Sequence, residues 1–187
     1  MASGETTALI LVDVIDSFFR AGMANHYVGV ESVLDPLRRL LAAARNHGRL
    51  IVHAVERHRP GLDDFEWRKL PRHHLIGAPD AAVTEGFELD GPREVLLSKR
   101  RYSAFFATDL ALLLREQRIE RVVVAGVKTN VCIRATVQDA FAYGFEPIVP
   151  REATNSNRPH LAAASLEDIE RYFGSVVSLD QALAVFA

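Results

Sequence analysis

Six short apolar runs recur along the chain, and stretches with helical spacing lie between them. The runs are TALILVDV at 7–14, GRLIVHAV at 48–55, REVLLS at 93–98, RVVVAGV at 121–127, FEPIVP at 145–150 and GSVVSL at 174–179. Strands that are apolar on both faces must be covered on both sides, the pattern of a parallel sheet with helical crossovers. The intervening segments agree. In ESVLDPLRRLLAAARNHG, residues Leu37, Leu40, Leu41 and Ala44 recur at i, i+3, i+4 and i+7, and the helix stops at Gly48. TDLALLLREQ has Thr108 as a candidate N-cap, and NVCIRATVQDAFAYG runs to another terminal glycine, Gly144. The expected architecture is α/β, with a six-stranded, mainly parallel sheet between two helical layers. The 187 residues suffice for one domain spanning 1–187. The segment from Glu56 to Pro92, rich in Pro, Gly, His and acidic residues, is too long for an ordinary connection and is expected to be functional or a lid.

Charge narrows the partners. With 22 basic and 24 acidic residues intermixed, the chain has no basic stripe of the kind that holds phosphate backbones, so no nucleic-acid partner is expected. No apolar run approaches the roughly 20 residues that span a bilayer, and MASGETTALILVDV lacks a basic leader and cleavage site, so no membrane partner is expected either. The one cysteine, Cys132, cannot form an internal disulfide, which fits a reducing, cytoplasmic compartment and leaves a free thiol.

In an open parallel sheet, ligands bind beyond the carboxyl ends of the strands. Three chemistry-bearing residues fall at such ends. Asp13 follows four aliphatic residues, and two readings fit: an N-cap or structural ion pair, or a general acid or base in apolar surroundings. Lys99 is the first charged residue after the third run; it is either solvated or a cation held beside Asp13, with Tyr102, Phe105 and Phe106 close behind it in the chain. Cys132 falls in the first turn of a helix starting near Asn130. It is either a small core residue or a nucleophile whose thiol pKa the helix N-terminus lowers. Together the three make a nucleophile with a base and an orienting cation on one sheet edge.

The motifs DVIDSF, KRRYSAFFATDL and GVKTNVCIRATVQDAF, in this order, resemble the isochorismatase-like cysteine hydrolases, a superfamily that includes nicotinamidases. The resemblance covers most of the chain and implies the isochorismatase-like hydrolase fold. It makes Cys132 the nucleophile, Asp13 the proton acceptor and later donor, and Lys99 the orienting cation. It also implies a cis Val127–Lys128 bond, with the backbone N–H groups of Lys128 and Cys132 as the oxyanion hole and no necessary part for the Lys128 side chain. The implied reaction is cleavage of a small amide's C–N bond through a Cys132 thioester, with release of ammonia or an amine and no need of a redox or organic cofactor. A homo-oligomer, dimer or tetramer, is the implied assembly. Phe18, Trp67, Tyr102 and Phe105 are the candidate pocket wall.

Two departures matter. Ile15 stands where many relatives have glutamine. Nicotinamidases bind a divalent metal through Asp-x-His and a later histidine; this chain offers Glu56, His58 and His73, a set suited to zinc, iron or manganese, but the favoured expectation is no metal, with these residues shaping the loop as in metal-free relatives. His26, His47, His53, His74 and His160 show no ligand spacing. Two rival functions remain at this stage: a vinyl-ether hydrolase using Asp13 as acid, and a non-catalytic binding scaffold. A nucleotide-binding domain is disfavoured, since no strand leads into G-x-G-x-x-G or a P-loop.

Overall fold

The computed structural model describes residues 6–187. Its strands are β1 (Thr7–Val12), β2 (Leu50–Glu56), β3 (Glu94–Lys99), β4 (Arg121–Val127), β5 (Glu146–Pro150), β6 (Thr154–Asn155) and β7 (Ser175–Val177). The helices are α1 (Asp16–Phe19), α2 (Leu34–Asn46), α3 (Leu110–Glu116), α4 (Arg134–Ala142), α5 (Pro159–Tyr172) and α6 (Leu179–Ala184). All six expected strands form and pair in parallel in the order β3-β2-β1-β4-β5-β7. The two-residue β6 is additional: β5 pairs with Arg121–Val123 of β4, and β6 then continues along the same side at Gly126 and Val127.

Alternation along the strands divides the core in two. Leu9 and Leu11 of β1 face α2 and α6, packing with Leu37, Leu40, Leu41, Leu179 and Phe186. Ala8, Ile10 and Val12 face the other way, towards α3, α4 and α5, against Leu110, Leu114, Val137 and Ile169. Each fully buried leucine or isoleucine contributes about 1.5–3 kcal/mol relative to exposure, so both layers are held to the sheet by transfer of apolar surface from water. No helix among the described residues is long and apolar enough to cross a membrane.

Local differences from the sequence expectations are small and physical. Thr108 lies one residue outside the cap of α3; its hydroxyl donates to the Ala104 carbonyl at 2.6 Å and accepts the Leu110 amide at 3.4 Å. The turn holding Cys132 is a π-turn, Thr129–Ile133, which runs into α4. Gly126 is dictated by close approach: its φ is +123°, and a Cβ there would stand 2.1 Å from the Val12 carbonyl oxygen. The strand order reverses between β1 and β4, since β2 and β3 lie on one side of β1 and β4, β5 and β7 on the other. Crevices at such reversals take ligands in open α/β sheets.

Candidate active site

Asp13 follows the last residue of β1 in a left-handed turn, φ 54°, a conformation an aspartate tolerates better than most side chains. Its amide donates to the Ala54 carbonyl at 2.9 Å, and its Oδ1 accepts the Glu56 amide at 2.7 Å, so both ends of the residue are fastened to β2. Oδ2 meets Lys99 Nζ at 2.8 Å. Lys99 ends β3, and both side chains are wholly buried, which makes this a desolvated ion pair. The same Nζ donates to Cys132 Sγ at 3.6 Å and to the Arg101 carbonyl at 3.4 Å. The structure thus brings the three strand-end residues into one cluster.

Electrostatics assigns protonation states. Burial pulls the Lys99 pKa down, but the charges of Asp13, then Cys132 and Glu56, raise it above the ordinary lysine range, so the side chain is a fixed ammonium. Cys132 goes the opposite way to the sequence expectation. Burial pushes its thiol well above the ordinary value; Lys99 draws it back, while Asp13 and Glu56 push it up again. At 5% exposure the turn's partial positive charge is outweighed, and the resting thiol is protonated beside a carboxylate.

The Val127–Lys128 bond is cis. The Lys128 carbonyl accepts the amides of Val131 at 3.0 Å and Ile133 at 3.2 Å, leaving the Cys132 amide outside those two bonds.

Beside the thiol is a second cluster. Glu56, His58, Glu66 and His73 offer one donor atom each, all within 4.8 Å of one another. Glu56 Oε1 lies 3.6 Å from His58 Nε2 and 3.8 Å from His73 Nε2, and His58 Nε2 lies 4.0 Å from Glu66 Oε2. These separations exceed hydrogen-bond lengths, and Glu56 Oε1, His58 Nε2 and both Glu66 oxygens are buried without a hydrogen-bond partner. His58 Nδ1 is held by Asp64 Oδ2 at 3.0 Å, and His73 Nδ1 donates to the Pro71 carbonyl at 2.6 Å, so each ring aims its other nitrogen at the cluster. Glu56 raises the His73 pKa to about 9 against the pull of burial.

A cavity of about 240 Å³ joins the two clusters, with Phe18, Glu66, Tyr102, Lys128 and Cys132 among its walls. Two of the expected wall residues lie elsewhere. Phe105 is a core residue, 2% exposed, its ring 5.5 Å from that of Tyr143 and 5.8 Å from that of Phe145. Trp67 packs behind His58 at 5.5 Å and faces a separate cleft, with the Arg72 guanidinium 4.7 Å from its ring. Phe105 is drawn from the wall by the apolar core it shares with Ala104, Leu110 and Phe145, and Trp67 is held in the short turn Phe65–Arg68 against His58. Glu66, Asp64 and His74 are site residues the sequence reading missed. His74 Nδ1 lies 3.5 Å from Glu56 Oε2, and its Nε2 is 3.2 Å from Asn25 Nδ2. The three acids set among the aromatics of DDFEW, residues 63–67, were the available signal for Asp64 and Glu66.

Fold and strand-edge site together define a hydrolase of the isochorismatase-like α/β/α class. The isochorismatase domain family matches residues 7–181. Maleamate amidohydrolase of Pseudomonas putida is 37% identical over 185 residues, spanning 96% of this chain and 86% of that protein. N-carbamoylsarcosine amidase of an Arthrobacter species is 31% identical over 184 residues, spanning 95% and 70%. An isochorismatase-like hydrolase from Alkaliphilus metalliredigens superposes with a TM-score of 0.88 at 29% identity, over 97% of this chain and 100% of that one. The chain belongs to the isochorismatase family of hydrolases.

Proposed function

We propose that this chain is a cysteine-dependent amidohydrolase that cleaves the C–N bond of a small amide through a thioester on Cys132. The observation that carries the reading is the contact of one ammonium, Lys99 Nζ, with both Asp13 Oδ2 at 2.8 Å and Cys132 Sγ at 3.6 Å, at the wall of the cavity. The amidase names of two relatives support it.

In the mechanism, Asp13 accepts the thiol proton as Sγ attacks the amide carbonyl carbon, and Lys99 stabilises the negative charge throughout. The carbonyl oxygen of the tetrahedral intermediate is held by the backbone N–H groups of Lys128 and Cys132. Asp13 returns the proton to the leaving nitrogen, the C–N bond breaks, and ammonia or an amine departs. Water then attacks the thioester with Asp13 as base, and the carboxylic acid leaves as the thiol is regenerated. A protonated resting thiol suits this order, because the nucleophile forms only when substrate is in place.

The second cluster fits a divalent cation. Its donors, the unpartnered, buried Glu56, His58 and Glu66 with the half-buried His73, are two carboxylates and two imidazoles, a set that zinc, iron or manganese accepts. A cation held there would act as a Lewis acid, and none of the steps above depends on it. A homo-oligomeric assembly and a cytoplasmic location are part of the proposal from family resemblance, and light scattering and fractionation test them.

The test is ammonia release from a panel of small amides (maleamate, N-carbamoylsarcosine, ureidoacrylate, nicotinamide, biuret). Wild type releases ammonia from at least one, and Cys132→Ala and Asp13→Asn each lose at least about 10³-fold in kcat. A Cys132→Ala enzyme that stays active while Asp13→Asn is dead assigns proton-driven vinyl-ether chemistry instead.

A further inference from the structure

Lys128 has a second feature besides its backbone. Its side chain is half-buried and lines the same cavity as Cys132. The ammonium lies 5.7 Å from the centre of the Phe18 ring and 5.4 Å from that of Tyr27. Ring faces attract a cation but accept none of its three N–H donors in the manner of an oxygen. Among the described residues, Lys128 makes no ion pair and no side-chain hydrogen bond. The acids about the cavity stand towards other groups: Asp13 Oδ2 lies 2.8 Å from Lys99 Nζ, and Glu56 Oε1 and Glu66 Oε2 face His58 Nε2 at 3.6 and 4.0 Å, so none forms an ion pair with Lys128.

A half-buried cation without a counter-charge is unfavourable, and an anion delivered by a ligand relieves it. The aromatic bracket fixes where that ammonium stands. The Tyr27 hydroxyl donates to Asn155 Oδ1 at 2.6 Å, so the ring is pinned to β6, and Phe18 is 6% exposed. The cavity, about 240 Å³, admits only a small molecule, so a ligand whose amide lies at Cys132 brings its other end towards Lys128.

We propose that the Lys128 ammonium, bracketed by Phe18 and Tyr27, is the specificity-determining contact of this site, and that the substrate is a short amide whose far end carries a carboxylate. The inference rests on the amidohydrolase reading for the reacting end of the ligand; the anion contact itself does not depend on turnover. It assigns to the Lys128 side chain a role distinct from that of its backbone N–H.

The experiment compares carboxylated amides, maleamate and succinamate, with the neutral butyramide. In wild type, kcat/KM for the carboxylated amides exceeds that for butyramide by roughly 10- to 100-fold, the range of one charge-assisted hydrogen bond. Lys128→Gln collapses that ratio towards unity, chiefly through KM, and Lys128→Arg, which keeps the charge, retains most of it. An unchanged ratio in Lys128→Gln overturns the proposal. A second arm needs no catalysis: succinamate is titrated calorimetrically into Cys132→Ala and into Cys132→Ala combined with Lys128→Gln. Weaker binding in the double variant by the same factor sustains the proposal even if no amide in the set is hydrolysed, in which case the amidohydrolase reading alone falls. Equal binding in the two variants, or none in either, overturns it.

Discussion

At the scale of the residue, Cys132 shows how a thiol is kept ready without being kept ionised. The thiol is 5% exposed, and the Asp13 and Glu56 carboxylates oppose its ionisation while Lys99 favours it. Iodoacetamide therefore alkylates Cys132 slowly at neutral pH, with an inflection above the free-thiol value of about 8.5. Removing the Asp13 charge takes away one of the groups that push the thiol up. Asp13→Asn is accordingly predicted to be inactive yet more readily alkylated than wild type at the same pH, measured by mass spectrometry of the labelled peptide. Slower labelling in that variant would contradict the assigned charges. The letters of this site were legible in the sequence, since Asp13, Lys99 and Cys132 each follow an apolar run that stops at a sheet edge. The thiol's protonation was not. A helix start signals a positive partial charge, whereas burial and two acids from remote segments exist only in three dimensions.

At the scale of the element, edge strand β3 is tied to its neighbours by a buried polar knot. Glu94 accepts from Arg45 of α2 at 2.7 Å and meets His53 of β2 at 3.0 Å. Burial pulls the His53 pKa below its ordinary 6.5, with Glu94 only partly restoring it. Glu94 is pushed up by burial, but its hydrogen bonds from Arg45 and His53 win and hold it below 4.5. Both groups bind protons more readily unfolded than folded, so the sign is the same for each: their contribution is present near pH 7 and is lost as the pH falls below 6.5 and on through 4.5. The urea midpoint is predicted to drop across that window, and Glu94→Gln to cost about 2–3 kcal/mol at pH 7 while flattening the slope. A wild-type midpoint independent of pH from 7 to 4.5 would contradict the linkage. The strands and α2 were readable from spacing because their contacts follow period and burial. The interior of the Glu56–Pro92 loop was not. Its order comes from Asp64, which accepts from the Glu66 amide at 3.1 Å, Arg100 at 3.0 Å and Arg101 at 2.9 Å and holds His58, a set no local period encodes.

At the scale of the whole molecule, the site is a consequence of topology. Asp13 just after β1, Lys99 at the end of β3 and Cys132 in the turn after β4 are gathered by the order β3-β2-β1-β4 at the carboxyl ends of the strands, with the reversal between β1 and β4 opening the crevice. Gly126 lets β4 come so close to Val12 that the ends of β1 and β4 share one floor. The long loop then closes over it with the histidines and Glu66, and Lys128 stands where the far end of a ligand would reach. On the proposed mechanism Cys132 itself becomes acylated. The direct measurement is rapid-quench mass spectrometry of the Cys132 peptide during turnover of whichever amide of the panel is hydrolysed. The expected result is a transient mass increase equal to the substrate's acyl group less one hydrogen, located on Cys132 and absent from Cys132→Ala. Full turnover by Cys132→Ala, with no adduct on the wild-type peptide, would contradict it.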